Sequence, residues 1–408
     1  MSIKKLSRLM ALLAVFALFA AACGDSDSST STDTATPADE EEAAPAPTEA
    51  TEEETTETTE SMEEEMADEA ALPGEGVTVK MGRATWDTGY FQAEVYAAVM
   101  RELGFDIGSP SDIELGVNAA YTAMAEGDMD FWVNSWYPGH MTWHAAELTD
   151  GSLIGDHISI VGEEMIAGGL QGFLITKSFA DEYGVYTMED LDTNAEALAA
   201  FDLTDPVPGN GKADIFGCEE SFTCDNIITS IIEFAGWTNI QQSIASYEAM
   251  FVQAVDAADS GVPMVIYTWT PSSYITQLRP GDNVYWLGTT EANVLDDSNP
   301  TGTEGGEGHD QRPGTATIGS DLCPSGDGTT CVTGWAAADI QVTASNDFLA
   351  ANPAAEALLD AMKLSVLDVS LANVAQGAGA TPEDLASEWI ANNRDQVDAW
   401  LSTALAAA

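Results

Sequence analysis

Aromatic side chains beside a histidine, at the end of a predicted strand, are the residues with the clearest chemistry in this chain. Residues 130–140 read DFWVNSWYPGH, an apolar run that breaks at Pro138-Gly139. The pattern predicts a β-strand with Trp136 and His140 at its C-terminal end, where ligands sit in open α/β sheets. A large aromatic face beside an imidazole, with no Lys or Arg nearby, suits a ligand whose positive part is an alkylated ammonium.

Two further segments combine aromatic faces with polar donors. Residues 218–225 read CEESFTCD, and a disulfide between the two cysteines would close a small ring just before a predicted helix. Such a turn would present the backbone N–H groups of Thr223 and Cys224 beside the ring of Phe222. Residues 262–271 predict a buried strand that ends, like the first, in a tryptophan, Trp269, shortly before a proline break at Pro271.

These segments resemble a known family. "FWVNSWYPGH", "GNGKADIFGC" and "YTWTP" are similar to segments of the glycine betaine/proline betaine substrate-binding proteins of ABC importers, and the resemblance extends from about Gly76 to the C-terminus. It implies two lobes of the type II periplasmic-binding-protein class, with a hinge and a ligand cleft between them. In that family three tryptophans surround the ammonium, while a histidine and two backbone amides bind the carboxylate.

The resemblance assigns six residues of this chain to the site. The ammonium box would be Trp136, Phe222 and Trp269, and the carboxylate donors would be His140, Thr223 and Cys224. Two positions depart from the family pattern, because Phe222 replaces a tryptophan and Thr223 replaces a glycine. Phenylalanine is a weaker host for a cation, which leaves the preferred ligand more open than its class.

Other aromatic residues are assigned to packing or to the rim of the cleft, with Trp86 as the first candidate for an additional ligand contact. The remaining members of this group are Tyr90, Trp132, Trp143 and Trp286.

Metal and cofactor sites have weak support in the sequence. His140 and His144 have the i,i+4 spacing of a zinc pair, but no third ligand can be named. Residues 205–214 partly match a calcium loop, which two prolines interrupt. No Gly-x-Ser-x-Gly motif or glycine-rich phosphate loop is present. We therefore expect no metal and no cofactor.

The five cysteines divide into one near the N-terminus and two local pairs. Cys218 with Cys224, and Cys323 with Cys331, have the spacing of short-loop disulfides in an exported protein.

The N-terminus predicts export and attachment to a membrane. Residues 1–22 carry basic residues and then a short apolar run that ends in small residues, which is typical of a signal peptide. Cys23 follows directly and resembles the lipidated cysteine of a bacterial lipoprotein; an ordinary cleaved signal with an incidental cysteine is the alternative. Residues 23–75, with Cys23 as the lipid anchor, would form a disordered acidic tether.

The formal net charge of −56 argues against nucleic acid and anionic lipid as partners of the folded part. An acidic surface with few lysines is typical of proteins that are adapted to salt. We expect a monomer.

Strands alternate with helices along the folded part, which indicates an α/β fold. The predicted lobe I comprises residues 76–176 and 341–408, and lobe II comprises residues 177–340. The crossing near Thr176 follows from the pattern, whereas the one near Ile340 rests partly on the resemblance. Residues 240–257 predict one long element, and residues 291–334 a long surface excursion.

The resulting hypothesis is a solute-binding protein on the outer face of the bacterial cell membrane, held there by its lipid anchor. It would capture glycine betaine or a related quaternary-ammonium osmoprotectant and deliver it to the permease and ATPase of an ABC importer. Choline, carnitine, proline betaine and ectoine remain open as ligands. An alternative of another class is an exported hydrolase of betaine-type or choline-type substrates, using a pair formed by His140 and a carboxylate.

Overall fold

The structure is a computed structural model that describes residues 71–290, 315–324 and 330–408. The predicted signal peptide, Cys23 and nearly all of the tether lie outside these ranges, so the predictions made for them stay predictions. In the last residues of the predicted tether, Gly74 is buried and its N–H donates to the carbonyl of Leu103 at 2.9 Å. The boundary predicted between tether and folded part stays a prediction.

Strands and helices alternate through the described residues. The strands are β1 Thr78–Val79, β2 Met81–Ala84, β3 Asp106–Ile107, β4 Glu114–Leu115, β5 Phe131–Tyr137, β6 Ile158–Thr176, β7 Ala213–Phe216, β8 Ile240–Ser243, β9 Val265–Thr270, β10 Val284–Leu287, β11 Thr315–Gly319, β12 Thr330–Ala336 and β13 Ala338–Ser345. The α-helices are α1 Tyr90–Glu102, α2 Val117–Ala125, α3 Lys177–Tyr183, α4 Met188–Thr193, α5 Ala195–Phe201, α6 Cys224–Ala235, α7 Tyr247–Ser260, α8 Asn346–Ala351, α9 Pro353–Ala361, α10 Val366–Gly377, α11 Pro382–Asn392 and α12 Arg394–Ala406. Short 3₁₀ helices include Asp87–Gly89, Gly139–Ala145 and Glu220–Phe222.

The main sheet runs in the order β4-β2-β5-β13-β6-β9-β7-β8, and β10 pairs with β6. Pairing is parallel among β4, β2 and β5 and among β9, β7 and β8, while β13 and β6 are antiparallel to their neighbours. Two parallel half-sheets covered by helices are therefore joined through two antiparallel strands, which is the two-lobed α/β class that the resemblance implies.

The long strand β6 belongs to both halves of the sheet. Its residues 158–169 pair with β13, and its residues 170–175 pair with β9. We call the half that contains β2, β4 and β5 the first lobe, and the half that contains β7 to β10 the second lobe. The residue boundaries predicted for the lobes stay a prediction.

The strands that carry the predicted site are buried. Every residue of β5 is buried, including the polar Asn134 and Ser135, as expected for a strand covered on both faces. All residues of β9 except its last are buried as well. On the first lobe, Trp389 and Trp400 stack with ring centroids 5.9 Å apart, which places these two tryptophans in helix packing.

Two segments differ from the predicted elements. Residues 240–257 contain strand β8 and most of helix α7, because β8 pairs along its length with β7, a partner that the local pattern does not reveal. The predicted excursion at 291–334 includes the antiparallel strands β11 and β12. Part of it, residues 291–314 and 325–329, lies outside the described ranges.

The cysteines are paired as their spacing predicts, with disulfides Cys218–Cys224 and Cys323–Cys331. Among the helices of the described ranges, none has both the length and the apolar character that crossing a bilayer requires.

Candidate functional site

One pocket, enclosing about 440 Å³ including its open mouth, lies where the two lobes meet. The six residues assigned from the sequence all line it: Trp136, His140, Phe222, Thr223, Cys224 and Trp269. The pocket is also lined by Trp86, Gly139, Gln171, Ile227 and Tyr267.

Trp136 stands near the end of β5, and a glycine opposite it provides room for its ring. A Cβ atom built on Gly169 would lie 2.5 Å from Cζ3 of Trp136. Only a residue without a side chain lets β6 approach the indole this closely. The position of Trp136 in the pocket therefore depends on a glycine from the strand shared by the lobes.

His140 is a neutral hydrogen-bond donor at this site. Its Nδ1 accepts the backbone N–H of Trp136 at 3.0 Å, so the proton of the neutral ring lies on Nε2. Burial, with a smaller contribution from His144, lowers the pKa of His140 to about 3. The imidazole is thus uncharged near neutral pH and has one N–H left to donate.

The disulfide-closed turn supplies two more donors. Thr223 has φ = 77°, a left-handed conformation that is strained for a β-branched residue, and it directly precedes α6. Within the described ranges, the N–H groups of Thr223 and Cys224 have no backbone acceptor, as is usual at the start of a helix. Two free N–H groups at the positive end of a helix dipole favour a carboxylate.

Trp269 and Phe222 form the aromatic wall on the second lobe. Their ring centroids lie 6.2 Å apart in an edge-on arrangement. The ring of Tyr247 packs behind Trp269 at 4.6 Å, and the indole Nε1 of Trp269 donates to Oγ1 of Thr88 at 3.1 Å. Thr88 belongs to the first lobe, so this hydrogen bond crosses the cleft.

Two other hydrogen bonds cross between the lobes near the pocket. Trp143 donates its Nε1–H to Oγ1 of Thr223 at 2.9 Å, which places Trp143 at the rim of the cleft. The hydroxyl of Tyr274 donates to the carboxylate of Asp87 at 3.2 Å. The structure is therefore a closed arrangement of the two lobes.

The described residues that line the pocket include no charged side chain. Its polar groups are the neutral His140, the backbone N–H groups of the turn, and a Tyr267 hydroxyl that donates to Oε1 of Gln171 at 2.7 Å. Aromatic faces attract a diffuse cation and neutral donors attract an anion, so the arrangement suits a zwitterion of zero net charge.

Sequence reasoning missed Gln171 and Tyr267. A signal for Tyr267 was present, because it lies two residues before Trp269 on the same strand and therefore on the same face. Gln171 faces Trp269 only through the register of β6 against β9, which no local pattern reveals.

The residues considered for metals have other partners. His140 accepts from the Trp136 backbone, and Nε2 of His144 hydrogen-bonds with the Tyr137 hydroxyl at 3.0 Å. In the calcium-like segment, the Asp205 carboxylate accepts from the N–H groups of Val207 and Asp214. Among the described residues, no three His, Cys, Asp or Glu side chains come together as a metal site.

Two α/β lobes that close over an uncharged, ligand-sized pocket define a bilobal solute-binding protein. Comparison with known families makes the assignment specific. The family described as the substrate binding domain of ABC-type glycine betaine transport systems matches residues 77–392, and the chain belongs to this family.

Relatives with a described role have similar length. The chain is 27% identical to the glycine betaine/proline betaine-binding periplasmic protein of Salmonella typhimurium, with the match covering 83% of this chain and 93% of the relative. It is also 27% identical to the glycine betaine-binding periplasmic protein OusX of Dickeya dadantii, over 83% and 92% of the two chains.

Solved structures share the fold. Lactococcal OpuAC, in its closed form with glycine betaine, superposes with a TM-score of 0.54 at 19% identity, covering 80% of this chain and 99% of that one. An ABC-transporter choline binding protein in complex with choline superposes with a TM-score of 0.53 at 16% identity, covering 81% and 96%.

Proposed function

We propose that this protein binds glycine betaine, or a closely related quaternary-ammonium osmoprotectant, between its lobes and delivers it to an ABC importer. The observation that carries the proposal is the uncharged pocket in which aromatic rings and neutral N–H donors from both lobes meet. The relatives from Salmonella typhimurium and Dickeya dadantii are betaine-binding proteins, which supports the same ligand class.

The two ends of a betaine have different chemical requirements. Its trimethylammonium group has no N–H to donate and spreads its charge over methyl groups, so the faces of Trp136, Phe222 and Trp269 can hold it without desolvating an acidic side chain. Its carboxylate needs donors, which are the Nε2–H of His140 and the two N–H groups at the start of α6. The neutral site balances a neutral ligand.

Closure of the lobes would couple binding to transport. The ligand stabilises the closed form only through contacts that the open form lacks. Trp136 and His140 come from the first lobe, whereas Phe222 and Trp269 come from the second, so the ligand gains its full set of contacts only on closure. The importer would then recognise the surface of the closed form.

The protein would work outside the cytoplasm as a monomer, held to the membrane through lipid on Cys23. The predicted signal peptide and the periplasmic relatives support an extracytoplasmic location. Mass spectrometry of the native N-terminus tests the anchor. A mature chain that begins with an unmodified residue would exclude it.

Calorimetric titration with glycine betaine tests the box directly. Trp136→Ala and Trp269→Ala should each lose about 1–2 kcal/mol of binding free energy or more, because a desolvated aromatic face is removed from the cation. Trp389→Ala is the matched control, since Trp389 stacks on Trp400 and does not line the pocket. Unchanged affinity in both box variants would refute the assignment.

Binding and turnover assays on the purified protein distinguish a binding protein from an enzyme. Stoichiometric binding without product supports the proposal, whereas turnover of a choline ester or a betaine by purified protein would favour the hydrolase. A thermal-shift series with choline, carnitine, proline betaine and ectoine ranks the ligands, because stabilisation grows with the logarithm of ligand concentration over Kd.

A further inference from the structure

A single amide oxygen holds two of the pocket's indole rings. Oδ1 of Asn134 accepts the indole Nε1–H of Trp86 at 2.6 Å and that of Trp136 at 2.8 Å. Both tryptophans are buried and both line the pocket. Two rings that share one acceptor cannot turn away from the pocket independently without losing a buried hydrogen bond.

The direction of this amide is set by a buried chain of hydrogen bonds. Nδ2 of Asn134 donates to Oε1 of Gln92 at 2.5 Å, and Nε2 of Gln92 donates to the Glu164 carboxylate at 2.7 Å. Because an indole N–H can only donate, the Asn134 atom that faces both rings must be its oxygen. The amide N–H of Asn134 then faces the Gln92 oxygen, and Nε2 of Gln92 is left to donate to Glu164. The chain runs from the shared strand β6 to the pocket.

The surroundings accommodate Asn134 in particular. It is 1% exposed and has φ = 76°, a conformation that asparagine and aspartate tolerate better than other side chains. Gly89 leaves room beside it, since a Cβ on Gly89 would lie 3.2 Å from Cγ of Asn134. Gln92 and Glu164 are also buried, so each donor in the chain needs its acceptor.

Trp86 contributes to the pocket as a ring and not only as packing. Its ring centroid lies 5.3 Å from that of Phe222 and 6.2 Å from that of His140. It therefore stands between the aromatic wall of the second lobe and a donor of the first lobe. Trp132 packs behind Trp86 at 5.5 Å and does not line the pocket.

We propose that Asn134 is the positioning residue that aims Trp86 and Trp136 into the pocket as a pair. Gln92 and Glu164 orient the amide of Asn134. This inference rests on the proposed betaine-binding function and adds the residues that set the shape of the ammonium end.

Reversing the donor-to-acceptor direction of this hydrogen-bond chain tests the positioning role of Asn134. N134D preserves size and backbone preference, but its carboxylate faces the Gln92 oxygen, and the repulsion between these two acceptors should displace the carboxylate from the two indoles. If Gln92 turns round to donate to it, the Gln92 oxygen faces Glu164, whose carboxylate has no proton to donate when binding is measured above about pH 8. Adding E164Q supplies an N–H to that oxygen, so the double variant N134D/E164Q has a complete chain of opposite polarity.

The expected result is a rescue. N134D should bind glycine betaine about tenfold more weakly or worse, and N134D/E164Q should recover most of that loss. In E164Q alone, the oxygen of Gln92 can still accept from Asn134, because the new amide oxygen at position 164 accepts from Gln92. This variant should therefore lose less affinity for glycine betaine than N134D does. Affinity of the double variant equal to or below that of N134D, or an unchanged N134D, would overturn the positioning role.

Indole N–H exchange measured by NMR on the ligand-free protein separates this inference from the proposed function. The signals of Trp86 and Trp136, assigned through W86F and W136F, should be protected in the parent, exposed in N134D and protected again in the double variant. If the parent binds no betaine, the proposed function fails, but these signals still show whether Asn134 holds the two indole N–H groups.

Discussion

At the residue scale, the pocket depends on space as well as on aromatic character. Gly169→Ala would place a methyl group 2.5 Å from the Trp136 indole, so the ring or β6 must move. We expect a loss in glycine betaine affinity of about tenfold, corresponding to about 1.4 kcal/mol, measured by calorimetric titration.

The matched control for this substitution is Gly319→Ala. Gly319 is also in a strand, and a Cβ there would meet no atom of the described residues within 4 Å. Parent-like affinity in both variants would show that Trp136 is not confined by β6.

The protonation of His140 gives a second prediction at this scale. Since burial lowers its pKa to about 3, His140 should remain neutral with its proton on Nε2 from about pH 5 to pH 8. Nitrogen-15 NMR of the imidazole should show one unchanged tautomer across this range. If His140 instead titrated with the ordinary pKa of 6.5, the donor would be a cation over the lower part of this pH range.

At the element scale, the disulfide turn joins the 3₁₀ helix 220–222 to the start of α6. Replacing Cys218 and Cys224 with serine should lower stability by about 2 kcal/mol, as expected for a short loop. It should also weaken betaine binding, because the donors at Thr223 and Cys224 are no longer held in their strained turn. Denaturant unfolding and calorimetric titration measure the two effects.

The second disulfide provides the control for this experiment. Cys323–Cys331 closes a loop of similar length away from the pocket, so replacing both cysteines with serine should lower stability without changing affinity. Equal losses of affinity in the two double variants would mean that disulfides act on binding only through global stability.

At the scale of the whole molecule, buried ionisable groups make stability depend on pH. Glu164 is 3% exposed, and burial raises its pKa to about 7, partly offset by the hydrogen bond from Gln92. The folded protein therefore holds this proton more tightly than the unfolded chain. The contribution of Glu164 to stability is greatest below its ordinary pKa of 4.5 and decreases as the pH rises through about 7.

His140 makes an opposing contribution, because its lowered pKa decreases the free energy of unfolding as the pH falls below 6.5. Substituting Glu164 alone separates its contribution from that of His140. E164Q should become more stable relative to the parent by about 2–3 kcal/mol between pH 5 and pH 8, measured by denaturant unfolding. The exposed neighbour Glu163 offers a control, and E163Q should change stability by less than about 0.5 kcal/mol. A stability difference that does not vary with pH would contradict the burial of an ionisable Glu164.

The sequence by itself determined the residues that local patterns mark. Trp136 lies near the end of a strand that breaks at Pro138, and His140 follows that break. Phe222 and Thr223 lie in a turn whose cysteine spacing predicts its closure. These inferences work because a strand end or a short disulfide loop is encoded within about ten residues.

Only the tertiary structure decided how those residues meet. It placed Gln171 opposite Trp269, Gly169 against Trp136, and Asn134 between two indoles and the Gln92–Glu164 pair. Apart from the hydrogen bond between Asn134 and Trp136 within β5, these relations join strands or loops far apart in the chain, and their register is set by the packing of the whole sheet. A local pattern carries no record of that packing, because a strand's partner and register follow from long-range burial and not from the strand's own residues.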